Sequence, residues 1–325
     1  VESKIDSLVT IQWLNDFLIG DYGVLTLGLS NALLTVLPIL SVFFIAFNIL
    51  EDIGYTPNLC VLTKRVFDKL GLSGSAIMPL VLGFGCKTMA TLTTRSLPSR
   101  KERCIAIYLI AFAIPCAAQM ALNMSILGRI GITAFVIAFS VLAFVEIAAG
   151  VTLNRILKEE EKSDFLQELP AIRLPNPKAV LKKTYYRMRW FLKEALHIFI
   201  LAAISLFIAD KMGILEGLKN AIQPLMEGFL GLPVQMVDAL ILCMAKHEAA
   251  AAMIIKMIER GHLNYIQCIV AVTITTMFVP CVANIVAMFK ELGPKRAVPM
   301  ILIINISAFL IAGLLNCALV VFFRL

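Results

Sequence analysis

The sequence predicts an all-α, polytopic membrane protein with two homologous helical halves that contain broken or re-entrant helices. Of its 325 residues, 60% are hydrophobic and only 16% are charged, and the mean hydropathy is +0.88. Soluble domains have about 25% charged residues. Six apolar runs approach the about 20 residues that a helix needs to cross a bilayer, so the lipid bilayer is the expected environment. They are residues 24–50, 104–127, 130–153, 191–209, 265–289 and 298–323.

The first part of the chain divides into a lead-in, residues 1–22, and a first membrane repeat, residues 23–153. The lead-in is amphipathic. Inside the repeat, residues 57–70 are amphipathic as well, which favours a helix on the membrane surface. Residues 75–93 contain one proline and two glycines within an apolar run. Such interruptions are typical of a broken or re-entrant helix.

A polar linker, residues 154–189, separates this repeat from a second one, residues 190–325. The linker contains nine Lys or Arg and five Asp or Glu. Its Leu-Pro and Pro-Asn-Pro elements favour an extended connector over a folded domain. Because basic loops remain on the cytoplasmic side of a membrane, we expect the linker there.

The two repeats share short motifs in the same order. Pro115-Cys116-Ala117-Ala118-Gln119 matches Pro280-Cys281-Val282-Ala283-Asn284, 165 residues further on. Upstream, Cys86-Lys87 corresponds to Ala245-Lys246. Internal duplication is common in transporters, whose sites lie between the repeats near the middle of the membrane.

Loop charges leave two topologies open. The loop 95–103 has four basic residues and one acidic residue, so it is predicted to be cytoplasmic. If residues 75–93 cross the membrane, each half has four crossings and the loop 290–296 lies outside. If they are re-entrant, each half has three crossings and the repeats are inverted. The loop charges alone favour eight crossings.

Two lysines lie in otherwise apolar surroundings, Lys87 and Lys246. A lysine at bilayer depth costs at least about 2.5 kcal/mol, so it must face the protein interior or water. One interpretation is that it caps the carbonyls of a broken helix or pairs with Glu248. The other is that Lys87 favours the thiolate form of the neighbouring Cys86, which is the form that binds metals.

Cys116 and Cys281 each follow a proline inside an apolar span. A proline leaves an upstream carbonyl without its donor, which a membrane tolerates where the carbonyl is paired again or lines a polar cavity. Gln119 and Asn284 follow three residues later, on the same helix face as the cysteines. A thiol, an amide and bare carbonyls form a plausible site for a borderline-soft divalent cation. The alternative is that each cysteine is a small buried apolar residue.

His247 and Glu248 are further candidate metal ligands, and Cys243 lies four residues before His247 on the same predicted helix face. The alternative is that this region only packs a helix break. The sequence has no GxxxxGK[ST], HExxH or GxSxG motif, so it gives no support to an enzyme. Because the charge of +7 is explained by loops that orient the helices, nucleic acid is not an expected partner.

Several segments together resemble one family of membrane proteins. The chain is similar, from about residue 23 to 323, to the membrane part of FeoB, the prokaryotic ferrous-iron transporter family. The segments are LEDIGY (50–55), PLVLGFGCKTMATLTTR (79–95), RKER (100–103), IPCAAQ (114–119), AKHE (245–248) and VPCVAN (279–284). The resemblance implies a multi-pass Fe²⁺ importer of the prokaryotic plasma (inner) membrane.

The resemblance also implies which residues and partners take part. Fe²⁺ would be the transported ion. GTP would act only through a cytoplasmic GTPase domain, in the same gene product or in a separate chain. Small Feo accessory proteins and a homo-oligomer are further expectations. The implied metal ligands are Cys86, Cys116, Cys281, His247 and Glu248, on a path shaped by Lys87, Gln119, Lys246, Asn284 and Cys243.

This chain departs from the family at two elements. The family commonly has Gly-Cys-Asn-Val-Pro-Ala where this chain has Gly-Cys-Lys-Thr-Met-Ala at residues 85–90. The family's Ala-Lys-Glu element is Ala-Lys-His-Glu here, at residues 245–248, which moves Glu248 by one position and adds a potential ligand.

Two other functions stay open. One is a nucleoside-type solute carrier, because its segments are similar, and the other is a membrane anchor or regulator for a separate GTPase.

Overall fold

The structure is a computed structural model that describes residues 37–157, 174–245, 247–278 and 281–324. All regular secondary structure in these ranges is helical, which confirms the all-α fold class. The described residues divide into two compact units. The first unit contains residues 37–58 and 174–218, and the second contains the remainder. The lead-in 1–22 and much of the first predicted span, 24–50, lie outside the described residues.

The first unit is organised by two helices, α1 (Leu37–Asp52) and α8 (Pro177–Lys211). Helix α8 includes residues 177–189, so the expectation of an extended connector is wrong for this part of the linker. Proline is favoured at the first position of a helix, and the Asn176 side chain accepts a hydrogen bond from the Lys178 N–H at 3.1 Å. Proline and asparagine here start a helix, although the same residues are also typical of loops.

Polar side chains join α1 to the beginning of α8. Asn48 donates to the Thr184 hydroxyl at 2.9 Å. Glu51 forms an ion pair with Arg187 at 2.7 Å, and Arg187 also lies over the ring of Phe47. These contacts attach the polar half of α8 to the end of an apolar helix.

The second unit contains most of the two repeats. Its helices are connected by short breaks in both repeats. Those of the first repeat are α2 (Tyr55–Leu70), α3 (Ile77–Gly85), α4 (Lys87–Thr93), α5 (Arg100–Phe112), α6 (Ala117–Ile130) and α7 (Ile132–Ile156). Those that follow α8 are α9 (Ile214–Gly228), α10 (Gln235–Ala245), α11 (His247–Glu259), α12 (Tyr265–Met277), α13 (Val282–Leu292) and α14 (Pro294–Arg324).

Four stretches of the described chain are long and apolar enough to cross a membrane: 100–130, 132–156, 265–292 and 294–321. The pair 58–70 and 74–85, bent by 103°, would be a fifth if it forms one span. The first and third stretches are mostly buried within the protein, whereas α7 and α14 expose most of their surface. The two Pro-Cys spans therefore form the core, and α7 and α14 lie at the periphery.

The two Pro-Cys spans are antiparallel. Arg95, just before α5, donates to Glu291 at the end of α13 at 2.7 Å. At the other end, the Thr133 hydroxyl, which follows α6, lies 2.9 Å from the Tyr265 hydroxyl at the start of α12. The span α5–α6 therefore begins where the span α12–α13 ends.

Segment 75–93 is re-entrant in this arrangement, because both of its ends lie beside the start of α5. Before it, the Ser73 hydroxyl donates to Glu102 at 2.6 Å. After it, the Leu97 carbonyl accepts from Arg103 at 3.0 Å. A chain that enters and leaves beside the same helix end has turned back inside the membrane.

The equivalent segment of the second repeat, α10–α11, turns back from the opposite side. Gly231, before α10, accepts a hydrogen bond from Gln267 on the first turn of α12 at 2.7 Å. Glu259, the last residue of α11, pairs with Arg129 at the end of α6 at 2.7 Å. The repeats are therefore inverted relative to each other.

This arrangement corrects the topology that loop charge favoured. The loop 290–296 lies beside the loop 95–103 and not on the opposite side, so both basic loops share one side. The positive-inside rule assigns that side to the cytoplasm. If residues 75–93 crossed the membrane, the basic loop 290–296 would lie outside, against the positive-inside rule, and the re-entrant segment removes this conflict.

Candidate functional site

Lys87 joins the two helix breaks. Its side chain is only 7% exposed, and its ammonium group donates to two carbonyls. One is that of Ala111 at the end of α5, at 3.2 Å, and the other is that of Thr276 at the end of α12, at 3.4 Å. From the sequence, this lysine could cap helix carbonyls or stabilise a thiolate. Its two hydrogen bonds to carbonyls at helix ends are those expected of a cap.

The identity of these carbonyls follows from the prolines. In a helix, a carbonyl accepts from the N–H four residues later. Four residues after Ala111 is Pro115, and four residues after Thr276 is Pro280, and neither residue has an N–H. Lys87 therefore supplies a donor to both carbonyls that the prolines leave bare, and its charge complements the negative ends of two helix dipoles.

The three cysteines of the proposed path occupy the same kind of position. Cys86 is the N-cap of α4, Cys116 is the N-cap of α6, and Cys281 is the N-cap of α13. Each sulfur therefore begins a half-helix, at the positive end of a helix dipole.

The three sulfurs lie in one region without forming a closed metal site. Cys86 lies within electrostatic range of Cys116 and Cys281, so the three thiols are near one another. The Thr88 hydroxyl lies 3.9 Å from the Cys281 sulfur and so connects α4 with α13. Within the described part of the chain, no three His, Cys, Asp or Glu side chains are grouped so that they could hold one metal ion.

Gln119 belongs to a dense polar network beside the first break. Its amide donates to Asn123 at 3.1 Å and to the hydroxyls of Thr275 and Thr276, each at 3.3 Å. Asn123 also donates to Thr276, at 3.1 Å. The Cys243 sulfur lies 3.8 Å from the Gln119 carbonyl oxygen. The network connects α6, α10 and α12 and buries every amide that it contains.

Asn284 has fewer partners beside the second break. Its amide oxygen accepts from the Thr91 hydroxyl at 2.8 Å, and its buried amide nitrogen has no hydrogen-bond partner. Helix α4 of the first repeat thus packs on α13 of the second, just as α11 packs on α6. An unsatisfied buried donor is uncommon in native proteins and is a sign of a functional or hydrated position.

Glu146 adds a carboxylate near the first break. Both of its oxygens are buried, and neither makes a hydrogen bond of normal geometry. Lys87 is close enough to interact with it through charge but does not form an ion pair with it. A carboxylate in the interior of a span is by default a candidate for a functional group.

The remaining candidates lie in and next to α11. Helix α10 ends at Ala245 and α11 begins at His247, so the shared helix face of Cys243 and His247 stays a prediction. Lys246 lies outside the described residues, as do the side chains of His247 and Glu248, so their assignment as ligands stays a prediction.

Sequence reasoning missed the threonines around the site. Thr88 and Thr91 of α4, and Thr275 and Thr276 of α12, provide hydroxyls to the amides and the thiol of the other repeat. The signal was present as pairs of threonines in otherwise apolar helices. It was not interpretable alone, because a threonine in such a helix can bond only its own backbone, whereas Thr275 and Thr276 bond their own backbone and also accept from Gln119.

Comparison with protein families supports the resemblance. The Gate family model, described as nucleoside recognition, matches residues 33–130 and 192–295. Each match falls within one of the two predicted repeats, 23–153 and 190–325. The model of the ferrous iron transport protein B C terminus matches residues 130–187. No solved structure matches the chain.

Curated relatives are Fe(2+) transporters named FeoB. The protein of Methanocaldococcus jannaschii is 29% identical over 217 residues, which are 66% of this chain and 31% of that protein. The protein of Salmonella typhimurium is 27% identical over 199 residues, 60% of this chain and 25% of that protein. The chain thus spans about a third or less of the length of these relatives. The chain belongs to the Gate family and is a membrane core of the FeoB type, which makes it a multi-pass protein of the prokaryotic inner membrane.

Proposed function

We propose that this chain is the membrane-embedded part of an Fe²⁺ importer. The ion passes between the two inverted repeats, along a path lined by Cys86, Cys116 and Cys281. The observation that carries the proposal is that three cysteines begin three half-helices in one region of the membrane core. Hydrocarbon has no ligand for a dication, so a path needs donor atoms at that depth.

The chemistry of the donors suits a borderline-soft dication. Sulfur ligands favour Fe²⁺ and Zn²⁺ over Mg²⁺ and Ca²⁺. The sulfurs are distributed over three helices and do not form one cluster, so each would hold the ion in passing. Such an arrangement supports transfer, because conduction requires that an ion can leave each position that it reaches. His247 and Glu248, at the start of α11, are the proposed harder ligands.

Lys87 acts in this proposal as a fixed structural cation. It keeps the two breaks open by satisfying the carbonyls that the prolines leave bare. A protonated lysine cannot ligate a metal, so the residue after Cys86 is not a ligand in this chain. The amides of Gln119 and Asn284 shape the path beside the sulfurs.

Coupling to GTP is the second part of the proposal. The relatives that this chain resembles are longer, and the family normally carries a cytoplasmic GTPase domain. We expect that domain, on the same or a separate polypeptide, to act at the basic cytoplasmic side. The transporter itself performs no chemical reaction, and accessory Feo proteins or further copies of the chain would join it at the membrane.

The test is anaerobic Fe²⁺ uptake into liposomes that contain the purified chain and a ferrous indicator, with and without the GTPase. The double variant Cys116→Ser, Cys281→Ser is expected to lose at least about ten-fold in uptake, since hydroxyls are poorer ligands for a soft ion.

The matched control is Cys60→Ser, Cys317→Ser, which changes two thiols that lie away from the breaks. This control is expected to transport like the unmodified chain. Equal uptake by both double variants would remove Cys116 and Cys281 from the mechanism.

The Gate family description keeps a nucleoside carrier as the second candidate. Equilibrium binding of a radiolabelled nucleoside in the absence of metal would favour that candidate, and no binding would exclude it. A membrane anchor is the third: vesicles that recruit the GTPase but admit no Fe²⁺ under any condition would favour it.

A further inference from the structure

A deep groove on the membrane-facing surface of the second unit takes no part in the proposed ion path. Its volume is about 940 Å³, and it lies between α7 and α14 with α5 as its floor. Tyr108 and Phe112 of α5 are buried at the floor, and their rings pack 5.1 Å apart. The walls carry exposed apolar side chains, such as Phe144 and Ile303.

The mouth of the groove is basic. Arg100 and Lys101 on the first turn of α5, and Lys295 and Arg296 on the first turn of α14, line the same cavity. The first turns of α5 and α14 lie on the side of the membrane assigned above to the cytoplasm. Charge is thus concentrated at one end of a groove whose other end is apolar.

The length of the groove matches one leaflet. Its lining residues extend from Arg100 to Phe112 on α5, which is about 18 Å at 1.5 Å per residue. Half of a hydrocarbon core of about 30 Å is about 15 Å. A molecule held at the mouth would therefore reach close to the middle of the bilayer with its tail.

We propose that this groove binds one anionic phospholipid of the cytoplasmic leaflet. The phosphate lies among the four basic side chains of the mouth, and an acyl chain lies along the aromatic floor. Charge complementarity selects this ligand, because the basic side chains of the mouth attract an anionic phosphate, whereas a zwitterionic headgroup carries no net charge. Basic pockets between helices on the cytoplasmic side are typical sites for anionic headgroups.

The bound lipid would link α7 and α14, the outermost spans of the two repeats. Both helices contact α5. A lipid between them fills space that the protein leaves open at the same depth as the helix breaks. We therefore expect occupancy of the groove to stabilise the pair of repeats.

The experiment measures lipids that stay bound to the full chain. The protein is purified in detergent with equal amounts of phosphatidylglycerol and phosphatidylcholine, and bound lipid is counted by native mass spectrometry. We expect one phosphatidylglycerol per chain and little phosphatidylcholine. Lys295→Gln, Arg296→Gln should bind phosphatidylglycerol roughly 30-fold more weakly, because each basic side chain near an anionic surface contributes about five-fold.

Two further variants test whether the apolar wall is needed for lipid binding and whether loss of positive charge elsewhere has the same effect as loss at the mouth. Ala149→Trp, on the wall, should displace the lipid while the four cations remain. Lys64→Gln, Arg65→Gln removes the same charge from an exposed pair on α2 that does not line the groove, and it should retain the lipid.

Three results would overturn the proposal. They are equal retention of phosphatidylcholine, unchanged retention in both the mouth and wall variants, and loss of the lipid in the α2 control. If the groove instead holds a second copy of the chain, the mass spectrum would show a dimer without bound lipid. Displacement of the signal by free glycerol phosphate would mean that the headgroup alone is recognised and the apolar floor is not used.

Discussion

The two Pro-Cys breaks have nearly the same sequence but different surroundings. At the first, Gln119 donates to three side chains, and the Cys243 thiol lies near its carbonyl oxygen. At the second, Asn284 has one hydrogen bond, to Thr91, and a buried nitrogen without a partner. One lysine caps the bare carbonyl of each.

The difference teaches how a duplicated element can become specialised. Glutamine is one methylene longer than asparagine and can reach partners on α6 and α12 together. The Asn284 side chain is shorter, and its amide nitrogen has no hydrogen-bond acceptor next to Cys281. We infer that the first break has mainly a structural role and that the second is better prepared to receive a ligand.

The largest expected effect is the side of the membrane from which introduced cysteines are labelled. This tests the inverted arrangement of the repeats, on which the comparison of the two breaks depends. Cysteines introduced singly at Ser96 and Lys295 should react with an impermeant thiol reagent from the same side, and a cysteine at His262 from the opposite side. The measurement is labelling above that of the native chain in sealed vesicles of known orientation. Labelling of Ser96→Cys and Lys295→Cys from opposite sides would refute the antiparallel spans.

The next effect is the loss of the shared cap. Lys87→Met keeps the length of the side chain but removes the donor, and leaves two buried carbonyls unsatisfied at about 1–3 kcal/mol each. We expect the free energy of unfolding to fall by about 2–6 kcal/mol, seen as a lower Tm in detergent. Lys87→Arg retains donors and should recover most of the loss. A Tm of Lys87→Met equal to that of the native chain would contradict the capping role.

The smallest effect separates the two amides directly. Gln119→Leu should lower the free energy of unfolding by about 1–3 kcal/mol, because Asn123, Thr275 and Thr276 lose a buried partner. Asn284→Leu breaks one hydrogen bond and should cost about 1 kcal/mol. Chemical denaturation of the two variants in parallel measures the difference. If Asn284→Leu is the more destabilising, the second break is the structural one.

Much of the architecture could be predicted from local signals. Pro79 and the glycines around it predicted a broken segment, and the structure has one, with Cys86 extended between α3 and α4. The prolines before Cys116 and Cys281 predicted breaks in apolar spans, and both occur. The predicted site residues Gln119 and Asn284 are buried beside those breaks, although their different numbers of partners could not be read from their similar motifs.

Other features needed contacts between distant residues. The starting residues of α8 contain the same proline and asparagine that mark loops, so the helix was missed. The pairing of Lys87 with Ala111 and Thr276 joins residues that are 24 and 189 positions apart. A local pattern cannot say which of two bare carbonyls a lysine will reach, and here it reaches both.

The sequence by itself determined that the chain is a duplicated helical membrane protein with interrupted spans and sulfur beside each interruption, because composition, proline chemistry and internal similarity are local properties. The tertiary structure alone decided that the repeats are inverted and that α4 and α11 each pack on the broken span of the other repeat. It also placed a single buried ammonium group at both breaks. Those outcomes depend on which helix ends meet, and the meeting of helix ends is set by packing between segments far apart in the chain.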